Sequence, residues 1–179
     1  TWDRSSVEVA RGPQPTSTGR NAIGGAIRLF SNLPTFEQEG AVRLSYHNQQ
    51  DTGGVALMLN TPLIEDQLAF RLTAETSEGE SYIDSITPIA TGIDVEGESL
   101  RQIRAQLLYE PQGIPGLSLN FSADRTVREQ ALEGIATGNP DDLSLTFFPF
   151  FNQVERNEQN IYSTRLRYEL DNGSEIVGR

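Results

Sequence analysis

Val7-Glu8-Val9-Ala10-Arg11-Gly12-Pro13-Gln14 leads, a few residues on, into Gly19-Arg20-Asn21-Ala22-Ile23-Gly24-Gly25-Ala26-Ile27. A short β-rich stretch enters Arg-Gly-Pro, a glycine-punctuated turn follows, and a small-residue run returns to apolar strand. Gly12, Gly19, Gly24 and Gly25 read as backbone necessities, since glycine tolerates positive φ and lets strands approach closely. The glycine run is not a phosphate loop: it lacks the Gly-Lys-Ser/Thr ending and the helical pattern that should follow. The segment is therefore read as strand, turn, strand.

The rest of the chain repeats a period of two, the period of a strand with one apolar face. Val42, Leu44 and Tyr46 alternate with Arg43, Ser45 and His47. Val55, Leu57 and Leu59 share a face. Leu68, Phe70, Leu72 and Ala74 oppose Arg71, Thr73 and Glu75. Ile103, Ala105, Leu107 and Tyr109 oppose Gln102, Arg104, Gln106 and Glu110. Leu117, Leu119, Phe121 and Ala123 oppose Ser118, Asn120, Ser122 and Asp124. Tyr162, Thr164, Leu166, Tyr168 and Leu170 oppose Ser163, Arg165, Arg167 and Glu169. These are six strands, with a seventh beginning at Ser174-Glu175-Ile176-Val177. A one-residue slip would turn each apolar face around, so register is well specified. Alternation alone does not say which face meets water: a soluble sandwich and a membrane barrel share the pattern.

The connections separate the two. Pro62–Asp66, Pro111–Gly116 and Asp171-Asn172-Gly173 are short, and the last carries the Asn-Gly signature of a hairpin. They follow the even-numbered strands. At the other end Asn48–Gly54 is brief, but Ser77–Ser99 and Arg125–Gln159 are long. Short turns at one end and long loops at the other are the pattern of an outer-membrane barrel.

Composition agrees with this. Only 36% of the 179 residues are apolar, and no stretch nears the roughly 18 apolar residues of a membrane-spanning helix. A spanning strand needs only about 9–11 alternating residues. There is no cysteine, which excludes disulfide scaffolds and thiolate metal sites. A net charge of −11 argues against nucleic acid. The chain begins without a signal peptide and ends within an incipient strand, so both ends are expected to be cut.

The opening segment resembles the end of the plug domain of TonB-dependent outer-membrane receptors, whose usual pattern is Val-Glu-Val-x-Arg-Gly-Pro followed by a Gly-x-x-Ala-x-Gly-Gly-x-Ile run. Asp66-Gln67-Leu68-Ala69-Phe70-Arg71-Leu72, Glu78-Gly79-Glu80-Ser81-Tyr82-Ile83 and Leu108-Tyr109-Glu110-Pro111 are similar to the family's early barrel strands. Departures occur at Thr16-Ser17-Thr18-Gly19 and at Ile27-Arg28-Leu29-Phe30-Ser31-Asn32, where the family often carries Leu-Tyr-Gly and Ile-x-Ile-x-Thr-Lys. The resemblance implies an all-β fragment of a 22-stranded antiparallel transmembrane barrel. Residues 1–35 are then the C-terminal part of the plug, and residues 36–179 the first six to seven barrel strands.

The implied function is active uptake of a scarce nutrient across the outer membrane of a Gram-negative bacterium, with an iron–siderophore complex as the expected ligand. The implied partners are outer-membrane lipid, the small-molecule metal chelate, and TonB, which is reached through a plug segment outside this chain. No cofactor, metal or enzyme activity is implied.

Within that frame Arg11, Gly12, Pro13, Gly19, Arg20, Asn21, Gly24 and Gly25 form the plug motif. Arg11 is the candidate for locking the plug to a barrel glutamate; its plain alternative is an exposed turn arginine. Tyr82 and the aromatics Phe147, Phe148, Phe150 and Phe151 are candidate ligand contacts, or alternatively loop packing. The acidic stretch Glu78–Glu98 reads as a solvated loop rather than a calcium site, for its spacing fits no EF-hand. His47 is the sole histidine and is expected to point into the lumen. Two rivals remain: a soluble β-sandwich module binding carbohydrate or mediating adhesion, and a glycoside hydrolase using paired carboxylates.

Overall fold

The computed structural model describes residues 2–12, 24–48, 51–80, 97–131, 136–139, 144–147 and 154–178. The chain divides into two compact units, Thr1–Leu33 and Pro34–Arg179. Among the described residues there is no helix, in keeping with the all-β expectation.

The first unit is an antiparallel hairpin of β1 (Arg4–Arg11) and β2 (Gly25–Ser31). Val7 faces Leu29 and Val9 faces Ile27 across it, and all four side chains are exposed. Asn32 ties the base of the hairpin, donating to Asp3 Oδ1 at 2.7 Å.

The second unit is one antiparallel sheet in the order β11-β10-β7-β6-β5-β4-β3. Its strands are β3 (Glu39–His47), β4 (Thr52–Ile64), β5 (Leu68–Glu80), β6 (Gly97–Tyr109), β7 (Leu117–Ala131), β10 (Val154–Glu169) and β11 (Glu175–Gly178). A small separate hairpin, β8 (Ala136–Asn139) with β9 (Ser144–Phe147), lies in the chain between β7 and β10. Consecutive strands pair with their neighbours throughout, a pure meander. The turn after β10 is closed by Leu170 N–H donating to Ser174 O at 2.8 Å and by Ser174 N–H donating to Asn172 Oδ1 at 2.9 Å.

Several strands outrun their expected lengths. β5 continues to Glu80 and β6 starts at Gly97, so the Ser77–Ser99 loop is shorter than its sequence suggests. β7 reaches Ala131 and β10 starts at Val154, with β8 and β9 inside what reads as one loop. Glu78 and Glu98, read as loop carboxylates, sit on strands and pair with Arg101 and Arg128.

Burial is inverted relative to a soluble sheet. The buried residues of the sheet's strands are Ala56, Asn60, Ala69, Arg71, Thr73, Arg104, Gln106, Leu108 and Asn120, six of the nine polar or charged. All nine lie on one face. The opposite face carries Val42, Leu44, Tyr46, Val55, Leu57, Leu59, Ile103, Phe121 and Tyr162, and every one is exposed. A soluble sandwich hides that face in its core; here the polar face is hidden and the apolar face is open. The open choice left by alternation is thereby settled in favour of a wall with an apolar exterior.

Register supplies the strand tilt. Partners run Tyr46–Gly53–Glu78–Ser99–Glu129–Arg156 across five strand-to-strand steps. The outermost aromatic residue at the loop end is Tyr46 on β3 but Tyr162 on β10, six residues beyond Arg156. Six residues at about 3.3 Å against five gaps at about 4.8 Å give a tilt of about 40°. Closed barrels tilt by roughly 35–45°.

Spin labels at single introduced cysteines, in protein otherwise free of cysteine, test which face meets lipid. In protein reconstituted into vesicles, a label at Leu57 should be relaxed by oxygen more than by a water-soluble nickel complex, and a label at Ser45 the reverse. Leu57→Arg should cost about 2–4 kcal/mol of stability in the bilayer. A Leu57 label relaxed mainly by nickel would refute the lipid-facing assignment.

Candidate functional site

The polar face of the sheet is built by register. Going from β3 to β7, one row reads Arg43, Ala56, Glu75, Gln102 and Thr126, and the next reads Ala41, Met58, Thr73, Arg104 and Asp124. Charges placed two strands or one strand apart meet as pairs. Arg43 Nη2 lies 2.8 Å from Glu75 Oε1, reaching across β4, where Ala56 leaves room. Arg104 Nε donates to Asp124 Oδ2 at 2.9 Å. Gln102 Nε2 donates to the same carboxylate at 3.0 Å, and Thr126 Oγ1 to its other oxygen at 3.1 Å. The Arg104 side chain is only 3% exposed and that of Asp124 13%. A charge so desolvated persists only with a partner and further hydrogen bonds.

A second cluster sits where the chain enters the sheet. Asn60, 2% exposed, holds Thr35 from both sides: Thr35 N–H donates to Asn60 Oδ1 at 3.1 Å, and Asn60 Nδ2 donates to Thr35 O at 2.9 Å. Asn60 Nδ2 also reaches Glu37 O at 2.6 Å. Thr35 Oγ1 donates to Glu39 Oε1 at 2.8 Å, and Arg71 Nη1 lies 3.2 Å from Glu39 Oε2. The buried amide thus replaces the missing sheet partners of a strap that is not itself a strand. Sequence reasoning passed over Asn60, whose only signal is an amide on the polar face of an apolar strand.

Beyond the apolar stretch the wall continues as an ion-pair lattice. Arg101 pairs with Glu78 at 3.2 Å, Arg128 with Glu98 at 2.5 Å, and Arg125 with Glu158 at 3.7 Å. Arg156 bridges Glu129, at 2.8 Å, and Glu158. The hydrogen bond from Arg156, then its charge and that of Arg125, hold the Glu158 carboxyl below its ordinary value.

The plug-motif residues divide. Arg11 ends β1, is exposed, and faces Gly25. Gly12 takes φ +82° and its N–H donates to Gly24 O at 3.4 Å. Gly25 takes φ +139°, and a Cβ there would fall 2.4 Å from Ala10 O, so both conformation and space demand glycine. Gly24 has neither constraint. Pro13, Gly19, Arg20 and Asn21 lie outside the described residues, as do Tyr82, Phe148, Phe150 and Phe151. Phe147 ends β9, and its side chain is likewise outside the description. His47 ends β3, exposed, on the face of Arg43 and Ser45. Among the described residues no group of three acidic, histidine or cysteine side chains gathers as a metal site.

No protein-family model matches the chain. It is 28% identical over 178 residues to the ferrioxamine receptor of Yersinia enterocolitica, covering 95% of this chain and 23% of that one. It is 34% identical over 89 residues to the ferrioxamine B receptor of Salmonella typhimurium, covering 49% and 12%. The chain thus spans about a quarter of the first of these relatives. Its fold matches the ferripyoverdine receptor of the outer membrane of Pseudomonas aeruginosa, with TM-score 0.70, 21% identity, and 93% of this chain on 22% of that one. It also matches the ferric enterobactin receptor of the same organism, with TM-score 0.63 and 20% identity, over 92% of this chain and 25% of that one. These are receptors rather than enzymes.

Two outcomes follow from the charge pairs. Asp124→Ala leaves Arg104 buried without its counter-charge and should lower unfolding stability by about 3–5 kcal/mol, while Arg104→Met with Asp124→Leu should restore most of it. Urea unfolding in lipid or detergent reads both, and a neutral Asp124→Ala contradicts the assignment.

Glu158 supplies the second. Because its folded pKa is depressed, its stabilisation is present above the ordinary value of 4.5 and is lost as pH falls through the lower folded value. Hydrogen-exchange protection at the outer ends of β7 and β10, corrected for intrinsic rates, should fall on acidification. Glu158→Gln should show lower protection at neutral pH and a smaller acid-dependent loss; an unchanged profile would show that the carboxylate contributes nothing.

Proposed function

We propose that this chain, a homologue of the ferrioxamine receptors and a piece of a TonB-dependent outer-membrane receptor, belongs to a protein that takes up a ferric siderophore. On this reading the unit Thr1–Leu33 is the end of the plug, and Pro34–Arg179 is the first seven strands of the barrel wall. The observation that carries it is the inverted sheet: charged and amide side chains buried on one face, large apolar side chains exposed on the other, in strands tilted as a closed barrel requires. The β-sandwich rival requires the apolar face to be buried in a core, and its large apolar side chains are exposed.

The mechanism follows from the parts. The polar face lines the lumen, where paired charges make a hydrophilic wall. The long connections after β5 and β7, with Tyr82, Phe147, Phe148, Phe150 and Phe151, form part of the ligand vestibule, where aromatic faces grip an organic chelate. Ligand capture passes to the plug, and TonB, engaging a segment outside this chain, moves it. Arg11 helps hold the plug by pairing with a glutamate of the wall. No bond of the cargo is broken; iron is cargo, not cofactor.

Kinship makes ferrioxamine B the first cargo to test, since two of the relatives are named for ferrioxamines. In the source bacterium, deleting the gene should abolish growth on ferrioxamine B as sole iron source and radioactive iron uptake from it. Complementation by the whole gene, but not in a strain lacking TonB, should restore both. Recovery of the native polypeptide from the soluble fraction, or unchanged uptake of every ferric chelate tried, would sink the proposal.

A further inference from the structure

The exposed apolar face is not evenly filled. Where β5, β6, β7 and β10 run side by side it dips into a hollow of about 450 Å³. Ala105 and Ala123 are direct cross-strand partners and form its floor. Phe70, Leu107 and Phe121 stand in the adjoining row, and Tyr162, the partner of Ala123, rises at its side, 78% exposed. Two methyl groups thus stand among four large side chains, and a depression results. Its volume lies within the roughly 300–1,000 Å³ of small-molecule sites, more than one protruding side chain of a partner protein needs.

We infer that this hollow holds one acyl chain of a phosphate-bearing membrane lipid. The inference rests on the outer-membrane reading above, under which this face is already in contact with hydrocarbon. Three observations choose the occupant. The outward side chains of the lining are hydrocarbon except for the hydroxyls of Tyr162 and Thr164, so the hollow can satisfy almost no polar group of a protein partner. It is continuous with the apolar band, so a chain lying along the strands enters it without crossing a polar rim. Arg125 follows Ala123 on the same face, just past the hollow's edge, 58% exposed and held by Glu158 only at 3.7 Å. A guanidinium so loosely engaged is available to a headgroup phosphate.

Native mass spectrometry of the whole receptor in detergent, titrated with phosphatidylglycerol and separately with phosphatidylcholine, tests this. The wild type should retain one phosphatidylglycerol more tightly than any further lipid. Filling the floor with Ala105→Leu and Ala123→Leu should weaken that first site about tenfold, as expected when roughly two methylenes lose their contacts. Arg125→Gln should remove the preference for phosphatidylglycerol over phosphatidylcholine while leaving a lipid bound. Both variants should still reach the outer membrane and take up iron like the wild type, which separates this outcome from failure of the transport reading. Equal lipid retention by the filled variant overturns the inference. So does a receptor dimer that the filled variant dissociates, for the occupant is then a second copy.

Discussion

An unbroken backbone ladder is the condition on which the rest of this structure depends. Apolar side chains can face outward into lipid only if no N–H or C=O between them is left without a partner, because hydrocarbon offers none. From β3 to β10 each strand meets its neighbour residue for residue, and the one register shift in the sheet falls between Pro62 and Ile64. Proline lacks the N–H a ladder needs, and it sits at that shift, at the turn end of β4 rather than in the middle of the apolar stretch. The irregularity is placed where water can reach it.

The same ladder sets which charges meet. Residues two apart along a strand share a face, and the stagger carries each row around the wall. Arg43 therefore reaches Glu75 over the small Ala56, and Arg104 lies directly opposite Asp124. Neither pair needs a loop to position it. Pairing of this kind contributes little net stability compared with an apolar substitute, since desolvating two ions costs about what their attraction returns. Its use is a hydrophilic wall that stays rigid. Outside the apolar stretch the pairs of Arg101, Arg125, Arg128 and Arg156 are exposed, and water screens each of them so that singly they add little. Taken together they stiffen strands that project past the band without an apolar face to hold them.

Legibility in the sequence tracked the apolar alternation closely. Where Leu117, Leu119 and Phe121 alternate with Ser118, Asn120 and Ser122, strand and face were both plain. Past Asp124 they were not, because Arg125, Thr126, Val127, Arg128 and Glu129 put polar groups on both faces and erase the period of two. The strand continues there on backbone pairing and ion pairs to β10, which are long-range and leave no local mark. The inversion of inside and outside was equally hidden, since alternation is symmetric; loop lengths and the opening segment broke the tie, and burial settled it. Asn60 was missed for a similar reason. Its partners are 23 and 25 residues away, and nothing near it in the chain foretells them.

That strap has a consequence for how the two units are joined. Thr35 is fixed through its N–H, its carbonyl and its hydroxyl, and Glu39 is fixed through both carboxylate oxygens. The hairpin of the first unit is closed at its own base by Asp3 and Asn32. Only Leu33 and Pro34 lie between these two fastenings, and the proline ring fixes φ at one of them. Any displacement of the hairpin relative to the wall, however it is driven, must be absorbed by the few torsions left at Leu33 and Pro34 or must break one fastening. The two fastenings differ in kind: the hairpin base is half-buried and closed by backbone and side-chain bonds between Asp3 and Asn32, while the strap is itself exposed and hangs on the buried amide of Asn60.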